Sequence, residues 1–374
     1  MPTSTATEKA DRFISLDIVR GIAALSVVFW HWQHFYYSPA RQLADAPTEI
    51  QQPLYSFFWP FYQSGYLAVD LFFCLSGFVF FYLYAQVIHE GRMNGDTFAL
   101  LRFSRLYPLH FATLIAVAAL QAVYLSQHGT YFVYLSNDVP QFVVHLLMIS
   151  SWPPNFAFAY NGPTWSVSIE VMLYVAFFAL CRVKLTAPIF LAALSIAGTL
   201  IAIKVPTVGR GFHSFFLGGL CYYLVQRQRG GNNFHWLYLA ACIAAIEAMS
   251  IGIALMRARP PLIDTLVISV AFPAMIVTLA LLDRRIERFT RPIGWIGNLS
   301  YSSYLLHFPL QLLLVVTAFG FGVTIDYASP VTLLTFMAVL IALSLWSFYA
   351  FERPVQSYLR RLILPRIQAA QKFV

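Results

Sequence analysis

The sequence has little formal charge. Only 11% of its 374 residues are Asp, Glu, Lys or Arg, and 59% are hydrophobic, whereas soluble domains carry about 25% charged residues. Three uncharged stretches have at least about the 20 residues that a membrane-spanning helix needs; they are 21–40, 71–89 and 106–137. One aqueous core cannot bury so much apolar surface. The composition therefore excludes a soluble protein and predicts a polytopic integral membrane protein.

The sequence is also poor in cysteine, in processing signals and in repeats. Its four cysteines lie in apolar stretches without metal-ligand spacing; they are Cys74, Cys181, Cys221 and Cys242. We therefore expect buried, inert thiols rather than disulfides or metal ligands. The polar first fifteen residues lack the apolar core of a secretory signal, so the following apolar run is predicted to be a retained first helix. There is no inverted repeat of the kind found in many transporters.

The apolar segments predict an all-α fold with about ten transmembrane helices. Their predicted bounds are 15–37, 65–88, 104–126, 165–181, 186–204, 211–226, 235–256, 262–282, 297–319 and 329–351. The piece 141–151 is too short to span and is predicted to lie at the outer face or to be re-entrant. With cytoplasmic N- and C-termini, most basic residues fall inside, as the positive-inside rule requires. The outer segments then hold only Arg41, Lys204, Arg210, Arg257 and Arg259.

The net charge of +8 follows from this topology. Basic residues cluster at the predicted cytoplasmic ends of helices, so no nucleic-acid partner is implied. We expect a cytoplasmic N-terminal tail over 1–12, a transmembrane domain over 13–356 and a basic cytoplasmic tail over 357–374. The loops are too short for an appended soluble domain. The sequence leaves the oligomeric state open.

The stretch RGIAALSVVFWHW places two ionisable residues in the first predicted helix. Arg20 lies at its cytoplasmic edge, and His31 follows eleven residues later, about 16 Å deeper and near the bilayer midplane. Eleven residues make nearly three turns, so Arg20, His31 and Asp17 lie near one helix face. Ionisable residues at this depth usually mark a functional site. The structural alternatives are a topology anchor for Arg20 and an inter-helix hydrogen bond for His31.

Two further ionisable residues fall at the same predicted depth. Glu170 lies twelve residues before Arg182, and His307 lies some ten residues into its helix. A neutral imidazole can take a proton from a hydroxyl, and a carboxylate on its other nitrogen fixes the tautomer. These residues therefore predict a catalytic base with its partners, and a proton relay is the alternative. A metal site is disfavoured because no two ligands have i, i+4 spacing on one helix.

Other candidate residues lie nearer the two membrane surfaces. Arg102 and Arg105 stand one turn apart where the third helix is predicted to begin, and two guanidinium groups beside a helix N-terminus can bind phosphate. Positive-inside anchoring is the alternative for each arginine. On the outer side, Asp70 is interpreted first as a helix cap and second as a substrate contact. Trp165 is interpreted as an interface anchor or a pocket wall.

Six segments resemble, in order, the membrane-bound acyltransferase 3 family over about residues 13–356. They are SLDIVRGIAALSVVFWHW, VDLFFCLSGFVFFY, RFSRLYPLH, PTWSVSIEVMLY, LSYSSYLLHFPL and ERP. The resemblance implies a ten-helix enzyme of the bacterial inner membrane. Such an enzyme moves an acyl group, usually acetyl, from cytoplasmic acyl-CoA to a hydroxyl of a glycan, a lipid-linked sugar or a small molecule. Acyl-CoA would be a donor substrate, with no tightly bound cofactor and no metal.

The resemblance also implies roles for residues at the cytoplasmic side. Arg20 matches the family arginine that precedes a histidine by ten intervening residues, and Arg102 and Arg105 match its arginine pair. We expect these three side chains, with Asp17 at the same level, to bind the phosphates of CoA. Some relatives carry a C-terminal hydrolase-like domain. The end of this sequence leaves no room for one, so we expect transfer to be completed alone or through a partner.

The remaining implied roles concern the reaction itself. His31 would be the general base, or would carry a transient acyl group, and Glu170 of the W-S-x-S-x-E element would support it. Many relatives have a second glutamate where this chain has Val171, which argues against a role that needs two adjacent carboxylates. His307 would line the acceptor side or stabilise the oxyanion. Asp70 and Trp165 would face the acceptor.

Two other functions fit parts of the pattern. A proton-coupled small-molecule transporter would use His31 and Glu170 at the midplane, but paired arginines suit a nucleotide-sized anion better than a proton path. A non-catalytic scaffold or sensor gives no reason for Arg20, His31 and Glu170 to be matched in depth.

Overall fold

The protein is described by a computed structural model over residues 13–37, 52–153, 157–229 and 261–371. Within these ranges the regular elements are all helices. The α-helices are α1 Ile14–Trp30, α2 Tyr55–Ser64, α3 Ala68–Phe80, α4 Gln86–His89, α5 Gly95–His128, α6 Val139–Leu146, α7 Trp165–Arg182, α8 Pro188–Ala202, α9 Pro206–Arg229, α10 Pro261–Leu266, α11 Phe272–Thr290, α12 Ser300–Gly320, α13 Pro330–Trp346 and α14 Arg353–Gln371. The prediction of an all-helical fold is confirmed for this part of the chain.

Six helical stretches are long and apolar enough to cross a membrane, which agrees with an integral membrane protein. They are Ile14–Tyr36, Tyr55–His89, Gly95–His128, Gly162–Arg182, Ile263–Gly320 and Pro330–Pro365. Helix α6 has only 8 residues, about 12 Å at 1.5 Å per residue, so the prediction that 141–151 does not span is confirmed. The predicted helix 235–256 lies outside the described residues, as do Arg41, Cys242, Arg257 and Arg259. The number of ten spans therefore stays a prediction.

The predicted start of the third helix is wrong for a local reason. Helix α5 begins at Gly95, where the Asn94 side chain accepts a hydrogen bond of 3.0 Å from the Thr97 backbone N–H. Its start is thus about two turns before Arg102, because polar first turns extend a helix beyond its apolar part. At the other end of the chain, the basic segment that follows residue 356 is helical as far as Gln371 in α14.

Helix α1 lies at the centre of the fold. It packs against α3, α11, α12 and the 3₁₀ segment Arg291–Leu299. At Gly21 the backbone of Ile296 approaches so closely that a Cβ atom would meet it. After Trp30 the chain tightens into a 3₁₀ turn, His31–Tyr36. His31 therefore lies where the α-helical hydrogen-bonding pattern ends.

Glycines also bring α3 and α9 together. A Cβ atom on Gly77 would lie 2.8 Å from the carbonyl carbon of Phe215, and one on Gly218 would lie 2.8 Å from that of Cys74. Small residues of this kind let two membrane helices approach at backbone distance. The contact positions the first turns of both helices, and hence Asp70 and Arg210, beside each other.

A proline in α12 anchors the loop before α7. Pro309 has no N–H to donate to the carbonyl of Leu305, four residues earlier. The buried Asn161 side chain donates to that carbonyl instead, at 3.0 Å. This hydrogen bond joins the segment just before α7, and hence Trp165 and Ser166, to the first half of α12.

Candidate active site

The three predicted phosphate-binding arginines line one cavity of about 210 Å³. We call it the arginine cavity; its polar lining includes Arg20, Arg102, Arg105, Glu170 and Tyr304. A wider cavity of about 650 Å³ adjoins it, shares Arg20 and Arg105 and also includes Asp17 and Arg353. The predicted grouping of Arg20, Arg102 and Arg105 is therefore present in the structure.

The guanidinium groups in the arginine cavity are held in different ways. Arg20 pairs with Asp17 at 2.7 Å and donates to the Ser300 hydroxyl at 3.2 Å. Arg102 donates to the Tyr84 hydroxyl at 2.6 Å and lies over its ring, 4.9 Å from the centroid. Among the described residues, the buried Nε of Arg102 has no hydrogen-bond partner, and the side chain of Arg105 is exposed. Because α5 begins at Gly95, the expected helix N-terminus is not beside them, and anion binding would rest on the guanidinium groups alone.

Glu170 belongs to the arginine cavity. Its Oε1 accepts hydrogen bonds from the Ser76 hydroxyl at 2.8 Å and the Tyr174 hydroxyl at 2.5 Å. The expected hydrogen bond to His31 is absent from the contacts of the described residues. The predicted depth of Glu170 stays a prediction, and its hydrogen bonds place it in the arginine cavity rather than beside His31. The Ser76 hydroxyl, on the turn next to Gly77, binds this carboxylate.

His31 contacts a second histidine instead of a carboxylate. Its Nδ1 lies 3.0 Å from Nε2 of His307, and the two rings stack with centroids 5.0 Å apart. Nδ1 of His307 lies 3.2 Å from the carbonyl oxygen of Ser303. His307 is fully buried, whereas His31 is half-buried and lines a separate cavity.

The hydrogen-bond directions assign the tautomers of this pair. A carbonyl oxygen only accepts, so Nδ1 of a neutral His307 carries the proton and its Nε2 is an acceptor. Nδ1 of His31 must then donate to that nitrogen, which leaves the lone pair of His31 on Nε2. A neutral imidazole held in this tautomer has the form that a general base requires.

A glutamine on α12, Gln311, also holds His31, through the backbone carbonyl of that histidine. Gln311 is fully buried; its Nε2 donates to the His31 carbonyl at 2.9 Å, and its Oε1 lies 3.0 Å from Nδ1 of His34. His34 stacks on His31 at 4.6 Å, and its Nε2 lies 3.4 Å from the Tyr134 hydroxyl. Within the described ranges, no group of three or more His, Cys, Asp or Glu side chains is suited to hold a metal ion.

The cavity lined by His31 has a volume of about 530 Å³. We call it the histidine cavity; its aromatic and basic lining includes Trp30, Tyr66, Tyr134, Trp165, Lys204, Arg210 and Tyr304. Of the two interpretations of Trp165, the wall of a pocket is the one that the structure supports. Ligand pockets typically have about 300–1,000 Å³, and this volume falls within that range.

Asp70 does not line either cavity. It is fully buried and accepts two hydrogen bonds from Arg210, at 3.1 Å from Nε and 2.5 Å from Nη2. Asp70 lies in the first turn of α3, as a cap would, but its described contacts are with Arg210. A direct contact with substrate is therefore not supported, and the partner of Asp70, Arg210, lines the histidine cavity together with Lys204.

One tyrosine lines both cavities. Tyr304 donates to the Pro163 carbonyl at 2.6 Å, and its hydroxyl oxygen lies 2.6 Å from that of Ser166. Because the single Tyr304 proton is used for Pro163, Ser166 must be the donor to Tyr304. Tyr304 and Ser166 therefore stand between the arginine cavity and the histidine cavity.

Sequence reasoning did not single out Gln311, Tyr304 or Arg210. The first two had a local signal, because they lie four residues after and three residues before His307 and so share its helix face. Arg210 had none, since its importance depends on the contact between α9 and α3.

The fold and these cavities define a helical membrane protein with a basic cavity and a histidine-containing cavity on either side of one tyrosine. The chain belongs to the acyltransferase 3 family: the family model, described as an acyltransferase domain, matches residues 13–349. The predicted family membership is confirmed.

Two curated bacterial proteins are similar to parts of the chain. Protein 2 in picA locus of Rhizobium radiobacter is 39% identical over 109 residues, which are 29% of this chain and 46% of that protein. Acyltransferase MdmB of Streptomyces mycarofaciens is 28% identical over 172 residues, which are 44% of this chain and 38% of that protein. The chain thus spans less than half the length of these relatives. No solved structure matches it.

Proposed function

We propose that the protein is an acyl-CoA-dependent O-acyltransferase that moves an acetyl group to a hydroxyl of a glycan or a lipid-linked sugar. The observation that carries the proposal is the pair of cavities on the two sides of Tyr304. One offers three arginines for a phosphorylated donor, and the other offers an imidazole nitrogen with an available lone pair. Membership of an acyltransferase family supports transfer over the transporter alternative.

The proposed topology puts the arginine cavity on the cytoplasmic side of the bacterial inner membrane. Ten spanning helices with both termini inside would give the basic residues the distribution that the positive-inside rule favours. Residues 13–356 would form the transmembrane domain, between the N-terminal segment 1–12 and the basic segment 357–374. Acyl-CoA from the cytoplasm would then meet the arginines first.

The donor would bind through its phosphates. Arg102 and Arg105, with Arg20 held by Asp17, can make charge-assisted hydrogen bonds to phosphate oxygens. The hydrogen bonds that Glu170 accepts from Ser76 and Tyr174 both reach Oε1, so Oε2 is proposed to accept from an amide N–H of the pantetheine arm. This assigns Glu170 to donor positioning. The thioester would lie beside Tyr304.

The reaction would take place beside Tyr304, between the arginine cavity and the histidine cavity. Nε2 of His31 takes the proton of the acceptor hydroxyl as its oxygen attacks the thioester carbonyl, and a tetrahedral oxyanion forms. The carbon–sulfur bond then breaks, the ester is complete, and the proton on Nε2 passes to the departing CoA thiolate. His307 is proposed to keep Nδ1 of His31 protonated throughout, rather than to touch the oxyanion.

The proposal is tested by incubating the purified protein in nanodiscs with labelled acetyl-CoA and a panel of glycosides and lipid-linked sugars. We expect labelled ester and free CoA thiol in equal amounts. His31→Ala should lose at least about 100-fold in rate, the usual contribution of a general base. His89→Ala is the matched control, because His89 is exposed and lines neither cavity.

Two results would contradict the proposal. One is near-normal transfer by a folded His31→Ala protein. The other is passage of an unmodified labelled solute across the bilayer of proteoliposomes without any ester formation, which would favour the transporter.

A further inference from the structure

The histidine cavity has basic side chains and no acidic ones among its described lining residues. Lys204 and Arg210 both line it, and no Asp or Glu of the described chain does. Asp70 lies behind Arg210, fully buried. The charge presented to a ligand in this cavity is therefore positive.

Arg210 keeps hydrogen-bond donors for a ligand. A guanidinium has five N–H groups, and three are used: Nε–H and one Nη2–H on Asp70, and the other Nη2–H on the Tyr66 carbonyl at 3.1 Å. Among the described residues, none accepts a hydrogen bond from Nη1. Because Asp70 holds the guanidinium from the side, Nη1 points away from the carboxylate. The group also lies over the Trp165 ring, 5.5 Å from its centroid.

Membrane topology does not explain these two cations. The positive-inside rule accounts for basic residues at the cytoplasmic ends of helices, whereas Lys204 and Arg210 are on the predicted outer side. Lys204 is exposed and forms no ion pair within the described ranges. Lys204 lies two residues before α9 and Arg210 lies near its start, so the positive end of the helix adds to their field.

We infer that the histidine cavity binds an acceptor that carries an anionic group, a carboxylate or a phosphate ester, next to the hydroxyl that is acylated. Lys204 and the Nη1 group of Arg210 hold the anion, while Trp165 and Tyr134 provide faces on which a sugar ring can stack. His31 then meets a neighbouring hydroxyl of the same sugar. This inference rests on the proposed function, because it takes the histidine cavity as the acceptor site.

The test compares matched neutral and charged sugars. Methyl glucoside, methyl glucuronide and glucose 1-phosphate, with their galactose and mannose counterparts, are titrated by tryptophan fluorescence and then used as acceptors with acetyl-CoA. Within at least one series, a charged member should bind at least about tenfold more tightly than the neutral one, the effect of one charge-assisted hydrogen bond. Uronide against phosphate shows which anion is preferred.

Variants show which residues produce the preference for charged sugars. Lys204→Gln should weaken binding of the charged sugar about fivefold and leave binding of the neutral sugar unchanged. Lys184 lines neither cavity, so Lys184→Gln should have no effect. Arg210→Gln alone would leave Asp70 buried and unpaired, which endangers folding. The double variant Asp70→Asn/Arg210→Gln removes the pair as a unit and should lower the preference to the part that Lys204 provides.

Because binding and transfer are measured separately, the anion site and the proposed function can fail independently. Equal affinity for neutral and charged sugars in every series, or a preference that neither variant lowers, would overturn the inference even if acetyl transfer is observed. Absence of transfer to any acceptor would count against the proposed function. A charge preference that depends on Lys204 would still support the anion site in that case.

Discussion

The hydrogen bond between His31 and His307 makes a sharp prediction, because it fixes which nitrogen of His31 is basic. Replacing His307 by leucine removes the acceptor for Nδ1–H of His31. Replacing it by glutamine supplies an amide oxygen near the position of the lost Nε2. The two variants therefore differ in whether the tautomer is still held.

The size of the effect follows from the burial of the pair. In His307→Leu, Nδ1–H of His31 would face an apolar side chain in place of a nitrogen 3.0 Å away. A buried donor without a partner costs about 1–3 kcal/mol. His31 avoids this unfavourable free energy when its proton moves from Nδ1 to Nε2, and Nε2 then cannot act as a base. At about 1.4 kcal/mol per tenfold change, kcat should fall about 5- to 150-fold.

The assay is acetyl transfer by purified variants at saturating acetyl-CoA and acceptor. His307→Leu should lower kcat and leave the KM for acetyl-CoA unchanged, since His307 does not line the arginine cavity. His307→Gln should retain more activity than His307→Leu, because its amide oxygen can still accept a hydrogen bond from Nδ1 of His31. A thermal unfolding scan of each variant shows whether the loss is one of folding.

Two outcomes would refute this reasoning. If His307→Leu is folded and keeps full kcat, the tautomer of His31 does not limit the reaction. If His307→Gln is as inactive as His307→Leu, an acceptor at this position is not what His307 provides.

Two further predictions concern the donor and the helix packing. Arg102→Gln should raise the KM for acetyl-CoA at least about tenfold with little change in kcat, because a charge-assisted hydrogen bond to phosphate is lost. Arg92→Gln is the control, since the Arg92 side chain pairs with Glu90 away from the cavities. Equal KM values for the two variants would contradict the assignment. Gly77→Leu should destabilise the protein by about 1–3 kcal/mol or more, since the Cβ atom of the new leucine would meet the backbone of Phe215. Gly95→Ala should not destabilise it, because the nearest atoms of Phe178 would lie 3.6 Å from the new Cβ atom. Thermal unfolding in one detergent compares the two, and equal melting temperatures would argue against the close α3–α9 contact.

Counting residues along the helices led to one contact that the structure shows, but it could not predict lateral position. Counting residues from the charged helix ends gave matching levels for His31 and His307, and the structure brings these two rings into contact. The same counting put Glu170 at that level, yet α7 turns it toward Ser76 and Tyr174 in the other cavity. A position along a helix axis does not determine which neighbour a side chain meets, because that depends on helix packing.

Pairings between distant helices were equally hard to foresee. Asp70 could be interpreted as a cap because an acidic residue in a first turn fits the helix dipole. Its actual partner, Arg210, is 140 residues away and comes close only because Gly77 and Gly218 let α3 and α9 approach. Hydropathy also placed the start of the third helix too late, since the polar turns that follow Asn94 extend the helix beyond its apolar part.

Helix α12 explains why His31 can be both half-exposed and well positioned. His31 stands where α1 ends and a 3₁₀ turn begins, so its carbonyl lies outside the regular α-helical hydrogen-bonding pattern. Gln311 donates to that carbonyl, and His307, one turn earlier on the same face of α12, accepts from the His31 ring. A single helix therefore holds the backbone and the side chain of one residue. Moving α12 by one residue would break both hydrogen bonds together, which ties the orientation of the proposed base to the packing of the whole bundle.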